Sequence, residues 1–398
     1  MIASIRQRYN QEFSVEKYER FLADLTESAG YRIPFRVAET PVFIPQSFGH
    51  QLRQAADELI GVLTRPDFKQ LTEAAIPPPL RVPNEDAHPL FLALDFAVCT
   101  DEKGELLPQL IELQGFPSLY GFEDWIAHKY RAHFHVPENF VHLLDGSDSI
   151  QYRQRLQKAL LGNHAPENVI LLEIEPFKQN TAIDFLITEQ YTGVKPVCIS
   201  ELIREERKLY YMNTGVKTPV HRIYNRVIFD ELLRRDDLPR QFNLTEEVDV
   251  EWAGHPNWFF RVSKYTMPFI RSRYVPECRF LSDYDIFPAD LENYVLKPLF
   301  SFSGQGVKFH VTVSDLEEIP IAERKDYLLQ RKVTYQPVLQ APDGQVKVEI
   351  RLMFLWEPHL ARPELVLNLV RLSRGEMIGV KYNKDKTWVG GTVGFFER

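Results

Sequence analysis

The stretch 89–123, PLFLALDFAVCTDEKGELLPQLIELQGFPSLYGFE, constrains the fold more than any other part of the sequence. It contains two apolar runs on either side of a short polar connection, Thr100–Glu105, that includes a glycine. Such a pattern predicts a β-hairpin. Because side chains alternate across a strand, Glu112 and Gln114 project from one face of the second run, and Asp95 can face them from the first. Three converging oxygen-bearing side chains suit Mg²⁺, although they also fit the polar face of an ordinary surface hairpin.

Length and composition indicate a protein with more than one packed lobe. The chain has 398 residues, of which 44% are hydrophobic and 12% aromatic, far from the composition of a disordered chain. A chain of this length exceeds what one simple core holds, so we expect two or three lobes. The formal net charge of -8 argues against a nucleic-acid scaffold, which needs a basic surface, but permits a local basic pocket for a nucleotide.

The cysteines and the N-terminal segment indicate the compartment. Cys99, Cys198 and Cys278 lie far apart and form no CxxC pair, which argues for a reducing compartment and against a disulfide framework. The first residues are charged and lack the apolar core of a signal peptide, and no run of about 18 apolar residues occurs. We therefore expect a cytoplasmic protein with neither a membrane nor a nucleic acid as partner. The sequence does not indicate an oligomeric state.

Patterns of apolar residues divide the chain into three parts. Residues 1–160 combine the hairpin with helices predicted at Ser14–Leu25 and Gln51–Leu63. Residues 161–250 alternate strands and helices, which predicts a Rossmann-like lobe with a parallel sheet, although without a GxGxxG fingerprint. Residues 251–398 contain mostly strand-like runs, which predicts an antiparallel-rich α+β lobe.

A lysine and a glycine-rich loop form the second group of interest. Lys297 ends an apolar strand, where an ammonium group packs poorly unless it meets an anion. The segment SFSGQG, residues 301–306, follows it, and Ser and Gly allow backbone N–H groups to approach a phosphate closely. The loop is not a Walker A motif, and an ordinary hairpin with a glycine turn fits these residues equally well.

Other polar residues interrupt the apolar runs of residues 251–398. Lys264 lies in RVSKYTMPFI and, taken alone, is typical of a snorkelling surface lysine. Gln330 and Lys332 in YLLQRKV suit either the edge of a nucleotide pocket or a solvated strand.

Glu349 and Arg351 alternate on one strand face in VEIRLMFLW. Arginine suits a bidentate grip on a phosphate or carboxylate, and it suits a cross-strand ion pair equally well. The same two interpretations apply to three residues of the next run: Asn368, Arg371 and Arg374.

Four histidines, at positions 128, 133, 135 and 142, follow the hairpin. The first three lie in a helix predicted at Asp124–His135, and the fourth lies beyond it. They belong to no HExxH motif and have no cysteine partner, and the HFH pair fits no usual ligand spacing. From spacing alone, we do not expect a zinc site.

Taken in order, these motifs resemble the ATP-grasp superfamily, and within it the circularly permuted group that includes glutathionylspermidine synthetase. LALDFAV followed by LIELQGFPSLYGFE is similar to that group's aspartate strand and its IExNxDTP strand. NVILLEIEP through HRIYNRVIFDELL resembles its pre-ATP-grasp lobe. SKYTMPFI is similar to NKxxLPxL, VLKPLFSFSGQGV to VVKPxxGREGxxV, and LLQRKV to the strand and hinge that follow. The resemblance covers most of residues 85–398.

The resemblance implies an α+β fold of the circularly permuted ATP-grasp type. Residues 1–160 and 251–398 would form its core, and residues 161–250 its Rossmann-like pre-ATP-grasp lobe. It also implies ATP and Mg²⁺ as cofactors and an ADP-forming reaction. A small-molecule carboxylate would be activated as an acyl phosphate and joined to an amine.

The resemblance also implies roles for individual residues. The Mg²⁺ ligands would be Asp95, Glu112 and Gln114. The ATP phosphates would contact Lys264 and Lys297 under a mobile loop of Ser303, Gly304, Gln305 and Gly306. Adenine would lie near Gln330 and the backbone of Arg331, Lys332 and Val333. Arg351 would be the catalytic clamp on phosphate or intermediate.

The chain departs from the family pattern at several of these positions. Gln114 stands where the family has asparagine, Ala93 where it has arginine, and Phe116–Ser118 where it has DTP. Gly304 and Gln305 replace the Arg-Glu pair of the loop. The glutathione and spermidine specificity is therefore not carried over. We favour a carboxylate–amine ligase, and two alternatives stay open: an ATP-grasp kinase and a catalytically impaired nucleotide-binding or scaffold protein.

Overall fold

The computed structural model describes residues 2–300, 306–375, 378, 383 and 385–398. The α-helices are α1 (Ala3–Glu12), α2 (Val15–Ala29), α3 (Gln46–Leu63), α4 (Phe68–Leu71), α5 (Tyr120–His133), α6 (Ser149–Leu161), α7 (Ala182–Thr192), α8 (Phe229–Leu232), α9 (Trp258–Arg261) and α10 (Val313–Glu317). The strands are β1 (Val42–Ile44), β2 (Phe91–Thr100), β3 (Leu106–Gln114), β4 (Phe140–Val141), β5 (Val169–Glu173), β6 (Lys195–Cys198), β7 (Ile203–Glu205), β8 (Lys208–Asn213), β9 (Val216–Val220), β10 (Arg222–Asn225), β11 (Glu251–Ala253), β12 (Cys278–Phe280), β13 (Tyr294–Pro298), β14 (Tyr327–Arg331), β15 (Leu339–Ala341), β16 (Gly344–Leu355), β17 (Glu364–Ser373), β18 (Gly390–Thr392) and β19 (Gly394–Glu397).

The main sheet has the strand order β18-β17-β16-β2-β3, with β15 paired to β16. Its strands run antiparallel. The predicted hairpin is confirmed, because β2 pairs with β3 and places Asp95 opposite Glu112 and Ala93 opposite Gln114. Strand β16 pairs with β2, so strands from the first and last parts of the chain form one sheet.

The two faces of the main sheet differ sharply in polarity. Leu94, Phe96 and Leu113 belong to the largest apolar core, together with residues of α3. Helix α3 buries a stripe that includes Leu52 and Leu59, because its apolar residues recur every three to four positions. Strand alternation turns the side chain of Asp95 to the opposite face.

A second sheet is parallel, with the order β11-β10-β5-β6. Both of its faces are buried, since Ile170 and Leu172 belong to one apolar cluster, and Val169 and Leu171 to another. The parallel sheet predicted for residues 161–250 is thus confirmed. Strand β11 extends it just past residue 250, and the lobe boundaries at 160 and 250 stay predictions.

A third, antiparallel sheet has the order β12-β14-β13. One face carries Leu296 and Leu329, which pack with Leu316 of α10 in a small core of their own. The other face carries Lys297 of β13 and Gln330 of β14. The Nζ atom of Lys297 lies 3.4 Å from the carbonyl oxygen of Ile111 on β3, so this face lies against the edge of the main sheet.

The described residues form two further sheets: β1-β19-β4 and the antiparallel meander β7-β8-β9. Both predicted N-terminal helices are confirmed, although α3 begins at Gln46 rather than Gln51. Its first turn starts at Pro45, whose carbonyl oxygen accepts a hydrogen bond from the backbone N–H of Gly49 (2.9 Å). Among the described helices, none combines the length and apolar character required to cross a bilayer.

Candidate functional site

Two lysines and two of the predicted metal ligands meet where the third sheet faces β3. Glu112 and Gln114 lie at the end of β3 and line a small pocket with Lys264. Lys264 begins a short 3₁₀ turn, Lys264–Phe269, and its Nζ atom lies 3.8 Å from Oε1 of Glu112. Lys297 reaches the same strand from β13. Residues that are distant in sequence therefore form one cationic and carboxylate-bearing site, whose apolar walls include Phe116, Phe259 and Phe300.

Burial changes the electrostatics of both lysines. The Lys297 side chain is 9% exposed, and burial lowers the pKa of its ammonium group to about 8, although Glu112 opposes the shift. The ammonium group of Lys264 lowers it further. Burial also lowers the pKa of Lys264, again with Glu112 opposing. Two poorly hydrated ammonium groups near one carboxylate favour an additional anion, such as a phosphate group.

Asp95 lies on the same face of the main sheet but is already held by two arginines. Its Oδ1 and Oδ2 atoms accept hydrogen bonds from Nε and Nη2 of Arg351, at 2.6 and 2.7 Å. Nη2 of Arg371 donates a third to Oδ2, at 2.6 Å. Burial by itself would raise the pKa of Asp95, but the two guanidinium groups outweigh it and hold the pKa below its usual value. The structure thus pairs Asp95 directly with Arg351, the predicted clamp.

The network continues along the same face of the sheet. Arg371 also contacts the carboxylate of Glu349, and the hydroxyl of Tyr335 donates to the other oxygen of that carboxylate. Asp95 is 1% exposed and Glu349 3% exposed, whereas the side chain of Arg371 is 39% exposed, so the two carboxylates are buried and the network reaches solvent at Arg371. Two carboxylates and two guanidinium groups balance in charge here. A carboxylate has about four acceptor positions, and hydrogen bonds from the described residues use three of those on Asp95.

Gln330 faces the same cleft as Lys297, because it pairs with Val295, two residues before the lysine on β13. Its side chain is 1% exposed, and its Oε1 atom has no hydrogen-bond partner among the residues that the structure describes. Of the predicted phosphate loop, Gly306 is described, with a φ of 71°. The other loop residues lie outside the described ranges: Ser303, Gly304 and Gln305.

The segment predicted to lie near adenine follows Gln330 at the end of β14. The backbone N–H groups of Arg331 and Lys332 donate to the carbonyl oxygens of Glu277 and Asn293, both at 2.8 Å. These two N–H groups are therefore engaged within the protein. Val333 lies two residues beyond the end of the strand.

Two further residues named from the sequence lie elsewhere. Asn368 projects from the opposite face of the main sheet, where Nδ2 donates to the carbonyl oxygens of His142 and Gly394, each at 3.0 Å. Arg374 forms an ion pair with Asp343. Both interactions are structural, and neither residue contributes to the site.

The sequence analysis missed Arg226, which lies behind the pocket wall. The guanidinium carbon is 5.0 Å from the ring centre of Phe116 and 5.5 Å from that of Phe185. The side chain is 4% exposed, and Nε and Nη1 have no hydrogen-bond partner among the described residues. Burial raises the pKa of nearby Glu173 to about 8, with Arg226 opposing. Its position in the sequence could have indicated a role in binding. Arg226 directly follows β10 at the carboxyl edge of the parallel sheet, where ligands commonly bind.

Comparison with known proteins shows the fold of the chain but not its family. No family model matches the chain, and no curated protein matches its sequence. A similar solved structure is the apo form of a glutathione synthetase-like effector from Globodera pallida. The match covers 96% of each chain, with a TM-score of 0.58 and 11% sequence identity. The chain shares the mixed α/β fold of that effector. At this identity the similarity establishes the fold alone, and any chemistry has to be argued from the residues.

Proposed function

We propose that the protein is an ATP-dependent ligase that joins a small-molecule carboxylate to an amine and releases ADP and phosphate. The observation that carries this proposal is the juxtaposition of Lys264 and Lys297 with Glu112 and Gln114 around one site. The fold supports it, because the similar structure is described as glutathione synthetase-like. We further infer the circularly permuted ATP-grasp arrangement from the order of the sequence motifs.

The donor set fits a magnesium–nucleotide complex. Glu112 is partly exposed, and its contact with Lys264 at 3.8 Å exceeds hydrogen-bonding distance, so its oxygens are available to a metal ion. Gln114 supplies an amide oxygen on the same strand face, and hydrogen bonds from the described residues leave one acceptor position on Asp95. Oxygen ligands of this kind suit Mg²⁺, which would neutralise charge on the phosphates when bound.

In the proposed reaction, a carboxylate oxygen of the acid attacks the γ-phosphorus of ATP as the bond to ADP breaks. The amine then attacks the acyl carbon, phosphate leaves, and the amine nitrogen loses a proton. Lys264 and Lys297 would balance charge on the phosphates, since their ammonium groups are poorly hydrated. Arg351 and Arg371 would hold Asp95 in place.

Arg226 supports the acid half of this proposal. Its guanidinium atoms Nε and Nη1 are buried without a hydrogen-bond partner among the described residues, and the group lies against Phe116, a pocket residue. A carboxylate accepts two parallel hydrogen bonds from a guanidinium group, so Arg226 is a suitable anchor for the acid substrate.

The experiment measures ADP release and nucleotide affinity together. The protein is mixed with ATP, Mg²⁺ and pools of acids and amines, and ATP binding is measured by calorimetry. Lys297→Met is expected to abolish both signals. Lys308→Met, which removes an exposed lysine paired with Asp315, is the matched control and retains both. Absence of ATP binding by the unmodified protein would refute the proposal.

One observation favours the alternative of a non-catalytic nucleotide-binding protein. Ala93 lies opposite Gln114 on the face that carries Asp95, where the resembling family has an arginine. Binding of ATP without ADP release from any pool would support this alternative. A stable phosphate ester formed without consumption of amine would instead indicate a kinase.

A further inference from the structure

A compact cluster of two histidines and one aspartate lies apart from the proposed ATP site. Asp124 and His128 are four residues apart on α5, so their side chains lie on one face of that helix. His142 follows β4 directly. One ligand atom from each of the three lies within 4.8 Å of the others. The backbone of His142 contacts Asn368, which projects from the face of the main sheet opposite to Asp95.

Two of the three distances between the ligand atoms lie near those of a tetrahedral metal centre, and the third is below 4.8 Å. Oδ1 of Asp124 lies 3.1 Å from Nε2 of His142 and 3.5 Å from Nε2 of His128. Ligand atoms bound about 2.0–2.1 Å from a tetrahedral ion are separated by about 3.3–3.4 Å. A zinc ion at the centre of the three atoms therefore needs only small shifts of the side chains.

Neighbouring groups bind Oδ2 of Asp124 and so keep Oδ1, the oxygen that would bind the metal ion, facing the two histidines. Oδ2 of Asp124 accepts hydrogen bonds from Nε of Arg153 at 3.0 Å and from the hydroxyl of Tyr191 at 3.1 Å. Asn368 fixes the backbone carbonyl of His142. Hydrogen bonds from outer residues of this kind hold metal ligands in a defined orientation.

The cluster is open on one side. The side chain of Asp124 is fully buried and that of His142 is 8% exposed, whereas that of His128 is 45% exposed. The hydroxyl of Ser149 lies 2.6 Å from Nε2 of His128 and 2.7 Å from Oδ1 of Asp124. This hydroxyl therefore lies beside both ligands and would have to turn away for a water molecule to bind at that position.

We propose that Asp124, His128 and His142 form a binding site for Zn²⁺, with water as the fourth ligand. Two imidazole nitrogens and one carboxylate oxygen form a donor set that zinc accepts readily, whereas Mg²⁺ prefers oxygen ligands alone. The same contacts also describe a hydrogen-bonded network without metal, and the experiment separates the two. The site does not depend on the proposed ligase activity.

The test is calorimetric titration of the chelator-treated full chain with zinc chloride, beside His128→Ala and His133→Ala. His128 is half exposed, so its removal is compatible with folding. His133 lies on the same helix and contacts Asp24 instead, which makes it the matched control. We expect one zinc ion per chain, at least tenfold weaker binding for His128→Ala, and unchanged binding for His133→Ala. Circular dichroism of each variant verifies the fold.

Cobalt substitution adds a readout of geometry. Co²⁺ bound to the unmodified chain is expected to give the intense visible absorption of a tetrahedral centre, and this absorption disappears in His142→Gln. Ser149→Ala is expected to bind zinc at least as tightly as the unmodified chain. The proposal is overturned if the chain binds no zinc, if His128→Ala binds as tightly as wild type, or if His128→Ala and His133→Ala lose affinity equally.

Discussion

Replacement of Asp95 by asparagine separates a structural role of this residue from a purely metal-binding one. The carboxylate accepts three short hydrogen bonds from Arg351 and Arg371, and its side chain is almost completely buried. Asp95→Asn removes the negative charge and turns an amide N–H group toward a guanidinium group. Arg371 keeps Glu349 as a partner, but Arg351, itself 7% exposed, loses its counter-charge.

The expected loss of stability follows from this burial. Removal of one partner from a buried ion pair costs about 3–5 kcal/mol, because the other charge stays buried without compensation. Unfolding of a chain of 398 residues has an entropy of about 0.8 kcal/mol per kelvin, at about 2 cal/mol/K per residue. The Tm of Asp95→Asn is therefore expected to lie about 4–6 °C below that of wild type.

The assay is differential scanning calorimetry without nucleotide or divalent ion, with Glu112→Gln as the matched control. Glu112 is a predicted metal ligand too, but it is partly exposed, and its one ion-pair contact within 4 Å among the described residues is that with Lys264, at 3.8 Å. Such a contact is worth less than about 1 kcal/mol, so the control is expected to lose about 1 °C or less. If Asp95 served only as a metal ligand, both variants would melt like wild type in the absence of metal. That result would refute the structural reasoning.

Three further predictions concern the same site. Burial lowers the pKa of Lys297 from its usual value near 10.5 to about 8, so between these values the unfolded chain holds a proton that the folded chain lacks. Stability relative to Lys297→Met should therefore rise by about 3 kcal/mol from pH 8 to 10.5 in urea titrations, and a pH-independent difference would contradict the assignment. Arg226→Met should increase the KM for the acid, because the guanidinium group that would anchor the carboxylate is lost, and an unchanged KM would exclude Arg226 from the acid site. Gln330→Leu should leave Tm unchanged and weaken ATP binding about tenfold, as expected for one hydrogen bond, and unchanged affinity by calorimetry would exclude Gln330 from the adenine site.

Local patterns in the sequence predicted much of the secondary structure. The hairpin β2–β3 follows from two apolar runs around a glycine-containing turn, and its alternation correctly places Glu112 and Gln114 on one face. The helix predicted at Ser14–Leu25 starts where expected, because the hydroxyl of Ser14 accepts a hydrogen bond from the backbone N–H of Lys17 at 3.2 Å. The parallel sheet followed from alternating strands and helices. Each of these features depends on residues that are close in sequence.

Such local patterns did not predict which side chains from distant parts of the sequence contact each other. A cross-strand ion pair was one of the two interpretations of Arg351, but no local pattern indicated that its partner is Asp95, across β2 and β16. Asp124 was not considered with the histidines, because no ligand spacing connects His128 on α5 to His142 beyond β4. Likewise, only the packed surroundings show that Nε and Nη1 of Arg226 have no hydrogen-bond partner among the described residues.

By itself, the sequence determined the elements and the order of the motifs, because periodicity and turn chemistry act over a few residues. Only the tertiary structure decided which side chains share a site. It brought Lys264 and Lys297 to Glu112, and it enclosed Asp95 between two arginines. The reason is physical: the pKa of a lysine and the availability of a carboxylate depend on burial and on neighbours from distant strands, and no local pattern specifies either.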